Sequence, residues 1–209
     1  MQFVQKNVGV EVLYFLTADH GAVNVPKYLT DQKVPSGYFD AKACVNLINT
    51  QISQKFNVDS VVENYSNSQL IISKQRLNQK GVQLKKVQDE VIEIIRGFSG
   101  VKDVLIIEDV KKGANSAMDQ KVLNGYFKGR SGEYYILLKP GWIHQRGKGT
   151  THGSGYSYDT HVPLLFMGYG VKHGDSNQGV YIQDIAPTIS SLINVSFPNG
   201  TTGKPLRFE

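Results

Sequence analysis

The sequence predicts an α/β fold: a mostly parallel sheet with helices on both faces, plus a small α+β insert. Three observations support this fold class. Largely apolar segments occur towards both ends of the chain, amphipathic helical segments occupy the part between them, and no internal repeat or low-complexity tract is visible. Strands that are apolar along most of their length are typical of a sheet that is covered on both faces.

Four segments have the character of buried strands, because they are rich in β-branched and aromatic residues and largely apolar. They are Gly9–Thr17, Val104–Val110, Glu133–Lys139 and Val162–Met167. Near the end of the chain, Ile182–Ile193 repeats apolar residues every three to four positions, which predicts a helix. Asp184 and Pro187 suit the first turn of that helix.

Between residues 38 and 103 the pattern changes to that of a small α+β lobe. The predicted order is helix, two strands, helix and strand, over Asp40–Phe56, Val58–Asn64, Gln69–Ser73, Leu84–Arg96 and Val101–Ile107. We therefore divide the chain into residues 1–37, the first part of the α/β core, residues 38–103, the insert lobe, and residues 104–209, the second part of the core.

Composition excludes several classes of protein. Of the 209 residues, 40% are hydrophobic and 20% charged, which is typical of a globular protein rather than a disordered one. No apolar run approaches the roughly 18 residues of a membrane span, and the first residues lack the pattern of a signal peptide. The net charge of +5 comes from scattered side chains, so we expect no nucleic-acid partner. The single cysteine, Cys44, excludes an internal disulfide, and we expect it in the core.

The first candidate site is the run Thr17-Ala18-Asp19-His20-Gly21, which directly follows the first predicted strand. In open α/β sheets, ligands bind beyond the carboxyl ends of strands. A carboxylate and an imidazole suit Zn²⁺, and suit Mn²⁺ less well. Gly21 permits the turn that both side chains need to reach one ion. Taken alone, the pattern fits a helix cap better than a metal site.

The second candidate site is the glycine-rich run Gly149-Thr150-Thr151-His152-Gly153-Ser154-Gly155. Its glycines leave His152 on an uncrowded loop, and Tyr158-Asp159-Thr160-His161 leads on into a predicted strand. A histidine in this setting can bind a metal ion. Taken alone, the pattern is better explained by a loop histidine that is bonded to a backbone carbonyl.

The two runs occur together, and their pairing strongly resembles the alkaline phosphatase superfamily. The chain looks most like the bacterial alkaline phosphatases of the type I phosphodiesterase/nucleotide pyrophosphatase group. Two later segments, Asp184-Ile185-Ala186-Pro187-Thr188-Ile189 and Gly200-Thr201-Thr202-Gly203-Lys204-Pro205-Leu206, resemble that family's closing helix and C-terminal segment. The resemblance covers about residues 10–37 and 104–206.

The resemblance implies two zinc ions about 4 Å apart that hold a phosphoryl group between them. It assigns Asp19 and His20 to one zinc and His152 to the other, so we expect their side chains to lie within roughly 8 Å of one another. His161 is expected to be packed or to stand behind the ligands. We expect His144 and His173 on the surface. Asp159 is expected either to orient His152 or to stabilise a turn.

The resemblance implies a Thr or Ser nucleophile and an Asp-x-x-x-His ligand set before the Asp-His pair. No Asp-x-x-x-His occurs upstream of Asp19, and Thr17 lies inside the first run and is a poor candidate for the nucleophile. We therefore assign no catalytic residue to the chain. We expect it to be the C-terminal portion of a longer phosphatase, whether a truncated gene product, a split gene or an expressed fragment. The resemblance implies a periplasmic or secreted zinc enzyme that acts on phosphate esters, with partial or empty zinc sites and negligible activity in this chain alone.

Phosphate monoesters are the expected substrates of the whole enzyme. The alternatives are a phosphodiesterase or nucleotide pyrophosphatase of the same superfamily, and a non-catalytic domain that retains the fold.

Overall fold

The structure is a computed structural model and describes residues 2–144 and 149–208. Its helices are α1 (Gln2–Val8), α2 (Pro26–Asp31), α3 (Ala41–Phe56), α4 (Lys74–Gln79), α5 (Leu84–Arg96), α6 (Ile107–Lys112), α7 (Ala117–Asn124), α8 (Ser157–Thr160) and α9 (Ile185–Leu192). Its strands are β1 (Leu13–Leu16), β2 (Gly37–Tyr38), β3 (Val62–Ser66), β4 (Gln69–Ile72), β5 (Val101–Ile106), β6 (Tyr134–Leu138), β7 (Trp142–Ile143) and β8 (Leu165–Gly168). None of the described helices is long and apolar enough to cross a membrane.

The chain forms two compact units. The terminal unit consists of Met1–Gly21 with His161–Glu209, and the central unit consists of Ala22–Thr160. The domain boundaries that the sequence analysis places after residues 37 and 103 stay a prediction.

The central unit is built on a four-stranded sheet in the order β3-β4-β6-β5. Every neighbouring pair in this sheet is antiparallel. Strand β4 comes from the predicted insert and β6 from the predicted second part of the core. One sheet therefore takes strands from both segments.

Helices α3 and α5 pack against each other and against the four-stranded sheet. Helix α3 begins after Asp40, whose carboxylate accepts a hydrogen bond from the Ala43 N–H at 3.0 Å, as an N-cap should. Ile48 and Val91 are fully buried in the shared core. Leu47, which the spacing places on the same face as Ile48, is 39% exposed. The helical period therefore defines the buried face but not its edge.

A two-residue turn joins β3 to β4. Asn67 and Ser68 both have left-handed backbone conformations, with φ of +49° and +64°. Two consecutive left-handed residues are typical of the tight hairpin turns whose twist matches that of the strands. The turn directs the Ser68 side chain towards His144, whose Nε2 lies 2.9 Å from the Ser68 hydroxyl.

Strands β2 and β7 form a short parallel pair, with Gly37 opposite Trp142. The Trp142 ring also lies against Gly100, whose φ is +85°. A Cβ atom on Gly100 would lie 1.9 Å from that ring, so the position requires glycine for two independent reasons.

The terminal unit contains β1 and β8, which pair antiparallel with Leu13 opposite Gly168. Apolar residues on both strands remain exposed, including Phe15 at 47% and Leu165 at 58%. The near-continuous apolar character of these segments predicts burial on both faces. A sheet of two strands, however, does not cover its own faces.

Buried hydrogen bonds hold the C-terminal segment of the terminal unit against α9. The Asp184 carboxylate accepts from the N–H groups of Tyr181 and Lys204, at 2.9 and 2.8 Å. The Thr188 hydroxyl accepts from the Leu206 N–H at 2.9 Å. Both residues belong to the predicted closing helix, and their buried polar groups explain its attachment to the tail.

The structure is mixed α/β, as the sequence predicts, but its strand directions differ from the expected mostly parallel sheet. Within the described residues, only β2 and β7 pair in parallel. The expectation came from apolar runs, and these report burial rather than strand direction. The predicted strand Val104–Val110 also ends early, at Ile106, where α6 begins.

Candidate metal-binding site

Asp19 and His20 lie in the terminal unit, directly after β1 and outside regular secondary structure. The chain turns at this point, and the His20 N–H donates to Asp19 Oδ1 at 3.0 Å. This bond fixes the carboxylate beside the following residue. Two successive side chains can reach one ion only where the chain turns, and the structure has a turn here.

The orientation of the His20 ring is set by Gly21. Nδ1 of His20 lies 2.7 Å from the Gly21 carbonyl oxygen, which can only accept, so Nδ1 carries the proton. In that tautomer the lone pair is on Nε2. Metal-binding histidines characteristically donate their other ring N–H to a carbonyl or carboxylate in this way, which fixes both tautomer and ring orientation.

Nε2 of His20 faces the carboxylate of Asp19. Nε2 of His20 lies 3.5 Å from Asp19 Oδ2, and the Asp19 side chain is 87% exposed. One nitrogen and one oxygen at this separation can both reach an ion that binds each at about 2.0–2.2 Å. The Asp19–His20 pair therefore fits two ligands of one zinc ion.

His152 lies in the central unit, on the loop that begins at Gly149, and its side chain is exposed. Gly149 and Gly153 have left-handed conformations, with φ of +100° and +105°. The loop is anchored on either side of His152: the Thr150 hydroxyl donates to the Val23 carbonyl, and the Ser154 N–H donates to Asp159 Oδ2 at 2.7 Å. The two glycines allow the loop to take this path, and the two hydrogen bonds fix it on either side of His152. The His152 side chain is exposed on this loop.

The structure places the three predicted ligands in two different units. Among the described residues, no group of three or more histidine, cysteine, aspartate or glutamate side chains is arranged to hold one ion. The expectation that each zinc finds only one or two of its ligands in this chain stays a prediction. The approach of His152 to Asp19 and His20 stays a prediction.

His144 was expected on the surface, and that prediction is wrong. Its ring is largely buried, with Nδ1 2.6 Å from the Tyr65 hydroxyl and Nε2 2.9 Å from the Ser68 hydroxyl. It also packs edge-on against Phe39, with ring centroids 5.6 Å apart. Burial lowers the pKa of His144 to about 4, so the ring is neutral at physiological pH.

The other predicted positions have mixed outcomes. His161 is exposed, so the packed alternative is wrong, and its place behind the ligands stays a prediction. His173 is exposed as predicted, and Cys44 is buried in the core as predicted. Asp159 is buried, and its bond to the Ser154 N–H supports the turn role that the sequence analysis left open. Its influence on the orientation of His152 stays a prediction.

The chain is similar to known proteins in its sequence. No family model matches the chain. The chain is 36% identical over 214 residues to a protein named calcium-transporting ATPase from Myroides odoratus, covering 99% of this chain and 38% of that protein. It is also 36% identical over 206 residues to alkaline phosphatase PafA from Elizabethkingia meningoseptica, covering 97% of this chain and 38% of that one.

The fold agrees with the sequence comparison. A crystal structure of wild-type alkaline phosphatase PafA matches 93% of this chain and 37% of its own, with a TM-score of 0.83 and 37% identity. The chain spans about two-fifths of the length of the curated relatives it matches. By sequence and by fold, over that share of its relatives' length, the chain belongs to the alkaline phosphatase superfamily.

Proposed function

We propose that this chain supplies part of the two-zinc centre of a phosphate monoesterase. Asp19 and His20 bind one zinc and His152 binds the other. The observation that carries this proposal is the geometry at His20: Nδ1 is bonded to the Gly21 carbonyl while Nε2 lies 3.5 Å from Asp19 Oδ2. A helix cap, the alternative reading of this run, does not require that ring orientation.

The names of the relatives favour phosphate monoesters as the class of substrate. Three of them, from Elizabethkingia, Synechococcus and Sphingomonas, are named alkaline phosphatases, at 36%, 36% and 25% identity. This supports hydrolysis of phosphate monoesters over hydrolysis of diesters or pyrophosphates. A periplasmic or secreted location for the longer protein belongs to the same proposal.

When bound, zinc supplies Lewis-acid stabilisation of the oxygens around a transferring phosphoryl group. The chain's own residues set where such ions bind. Gly21 fixes the tautomer of His20, and Asp19 adds a negative charge beside the ring. The anchored loop presents His152, and we assign the attacking hydroxyl to none of the chain's residues.

The chain alone should therefore bind zinc weakly and hydrolyse phosphate esters negligibly. Zinc sites normally use three or four protein ligands, and here one ion would keep two and the other only one. Without an aligned hydroxyl, the advantage of proximity, about 7–11 kcal/mol in favourable reactions, is also lost.

Zinc titration calorimetry on the whole chain tests the assignment. We expect Asp19→Asn and His20→Ala each to weaken zinc binding by roughly tenfold or more, because each removes one of two ligands to the same ion. The matched control is His173→Ala, which removes an exposed imidazole outside the proposed site and should leave zinc binding unchanged. Equal zinc affinity in all four proteins would contradict the assignment.

An activity measurement completes the test. The chain, with added Zn²⁺ and a chromogenic phosphate monoester at alkaline pH, should show no turnover above background. Robust turnover that is abolished by His152→Ala would show that the chain carries a complete catalytic site, contrary to the proposal.

A further inference from the structure

The chain contains two asparagine–glycine pairs, Asn124-Gly125 and Asn199-Gly200. An asparagine that precedes a glycine can react with its own main chain, because glycine has no side chain to obstruct the approach of its amide nitrogen. All four residues are exposed. Exposure therefore does not distinguish the two pairs, whereas their hydrogen bonds and backbone conformations do.

The reaction that such a pair undergoes is deamidation, one reason why asparagine is a thermolabile residue. The main-chain nitrogen of the glycine attacks the side-chain carbonyl carbon of the asparagine and forms a cyclic imide. The bond to the side-chain nitrogen breaks, and that NH₂ group leaves as ammonia with the proton that the glycine nitrogen loses. Water then opens the imide at either of its carbonyl carbons, which gives aspartate or isoaspartate. Water is the only co-reactant.

Hydrogen bonds hold both reacting groups of the first pair. Asn124 is the last residue of α7, and its side-chain oxygen accepts from Gln120 Nε2 at 3.0 Å. The Gly125 N–H donates to the Lys121 carbonyl at 3.2 Å. Attack at Asn124 requires both bonds to break and the last turn of α7 to unwind. The structure therefore protects this pair.

The second pair forms the centre of a four-residue turn that begins at Pro198. The Pro198 carbonyl accepts from the Thr201 N–H at 3.2 Å and from the Thr201 hydroxyl at 2.7 Å. Gly200 has a left-handed φ of +77°, which is typical of glycine at the third position of such a turn. Neither bond uses the Asn199 side chain or the Gly200 N–H, and within residues 2–144 and 149–208 neither group has a hydrogen-bond partner.

The turn at Pro198 lies between two fixed points of the C-terminal segment. The chain leaves α9 after Leu192 and is held again where the Lys204 N–H donates to the Asp184 carboxylate. The described part of the chain after Leu192 contains no helix or strand. The backbone at Asn199 can therefore change its dihedral angles without unwinding a regular element, as local motions of exposed loops do.

We propose that Asn199 is a site of spontaneous deamidation in the folded protein and that Asn124 is not. The product carries a carboxylate in place of a neutral amide, so the net charge of the chain falls by one. Where isoaspartate forms, the main chain runs through the former side chain and gains one carbon atom. The turn at Pro198 spans this position, so the two bonds from Thr201 must then be remade in a longer turn.

Peptide mapping by mass spectrometry, after incubation of the whole folded chain in mildly alkaline buffer, measures the reaction at each asparagine. Replacement of NH₂ by OH raises the mass of the peptide concerned. We expect Asn199 to deamidate about tenfold or more faster than Asn124, because two hydrogen bonds that must break at Asn124 are together worth about that factor in rate. Equal rates at the two sites, or no reaction at Asn199, would overturn the proposal.

The same chain unfolded in guanidinium chloride is the matched control, since it keeps both sequences and loses the structure that protects one of them. The rates at Asn124 and Asn199 should approach each other there. A preference for Asn199 that is as large in the unfolded chain as in the folded one would show that the neighbouring residues set it. That result would overturn the structural basis of the proposal.

The variant Asn199→Gln confirms the position of the reaction. Glutamine keeps the exposed amide but adds a methylene group, so the ring that attack would close is larger and forms less readily. The mass gain of the C-terminal peptide should disappear in this variant. A gain that persists would place the reaction at another residue, such as Asn194, and would overturn the assignment. None of these measurements involves zinc, so their outcome is independent of the proposed function.

Discussion

The Tyr65 hydroxyl lies 2.6 Å from Nδ1 of His144, although 79 positions separate the two residues in the chain. Tyr65 belongs to β3, and His144 directly follows β7. Together with Ser68 on the β3–β4 turn, they form a half-buried polar cluster beside the loop that carries His152. The cluster makes the stability of the central unit depend on the protonation of one imidazole.

His144 should make the protein less stable in mild acid. Its pKa is about 4 in the folded protein, against an ordinary value of 6.5. Between these values the unfolded chain binds more protons than the folded one, so the free energy of unfolding falls as the pH drops from 6.5 to 4 and levels off below. The loss is on the order of 3 kcal/mol.

Urea unfolding at a series of pH values measures this loss. The control is His144→Phe, which keeps a ring against Phe39 and cannot titrate. Between pH 6.5 and 5, above the range of ordinary carboxylates, the variant should show a clearly shallower decline than the parent. The same decline in both proteins would mean that another group is responsible.

Gly100→Ala should destabilise the protein by at least about 2 kcal/mol. The residue has a left-handed φ of +85°, and the new methyl group would overlap the buried edge of the Trp142 ring. Backbone strain of about 1–3 kcal/mol and overpacking of about 1–3 kcal/mol act together. Chemical denaturation measures the cost.

The matched control for this substitution is Gly113→Ala. Gly113 has an extended backbone and open space where the methyl group would go. We expect a change of no more than about 0.5 kcal/mol there. Similar costs at both positions would contradict the steric explanation for Gly100.

Thr188→Val should loosen the C-terminal segment from α9. The hydroxyl of Thr188 donates to the Asp184 carbonyl at 2.6 Å and accepts from the Leu206 N–H at 2.9 Å, and valine has nearly the same shape without either bond. A buried donor left without a partner costs about 1–3 kcal/mol. Hydrogen exchange of the Leu206 amide should accelerate about tenfold or more.

Thr201→Val is the control, because the hydroxyl of Thr201 bonds to Pro198 on the exposed surface. It should leave the exchange of the Leu206 amide as in the parent. Unchanged exchange in Thr188→Val as well would show that the tail is held by other contacts.

Helices with a clear apolar period could be predicted from the sequence. The helix Leu84–Arg96 is predicted with the bounds that the structure gives to α5, because four apolar side chains repeat on one face, and the structure buries all four: Val87, Val91, Ile94 and Ile95. The C-terminal end of β5 was harder to predict from the sequence. Ile106 and Ile107 are both apolar, so hydrophobicity does not mark the change from strand to helix between them. Helix α6 has acidic residues in its first turn and basic residues in its last, which stabilise the helix dipole: Glu108, Asp109, Lys111 and Lys112.

Strand direction and tertiary pairing could not be predicted in this way. An apolar run such as Glu133–Lys139 reports that β6 is buried, and burial is the same whether its neighbours run parallel or antiparallel. The environment of His144 was missed for a related reason. Its partners Tyr65 and Ser68 are distant in the chain, and nothing in the local sequence around His144 distinguishes it from a surface histidine.

The sequence proposes which residues form the candidate site, and their role as metal ligands stays a prediction. Asp19 and His20 are proposed as ligands because they follow a predicted strand and because the run resembles that of a known family. The ring orientation of His20, set by the Gly21 carbonyl, could come only from coordinates.

The central claim is that His20 and His152 serve one two-metal centre, within roughly 8 Å of each other. NMR of the histidine ring signals, with Co²⁺ added in place of zinc, tests this most directly, since the chain has five histidines and His173 serves as an internal control. We predict that the signals of His20 and His152 broaden together at low Co²⁺, that the His173 signal stays sharp, and that Asp19→Asn reduces the effect on His20. Broadening of His20 alone, with His152 and His173 equally unaffected, would contradict a shared metal centre.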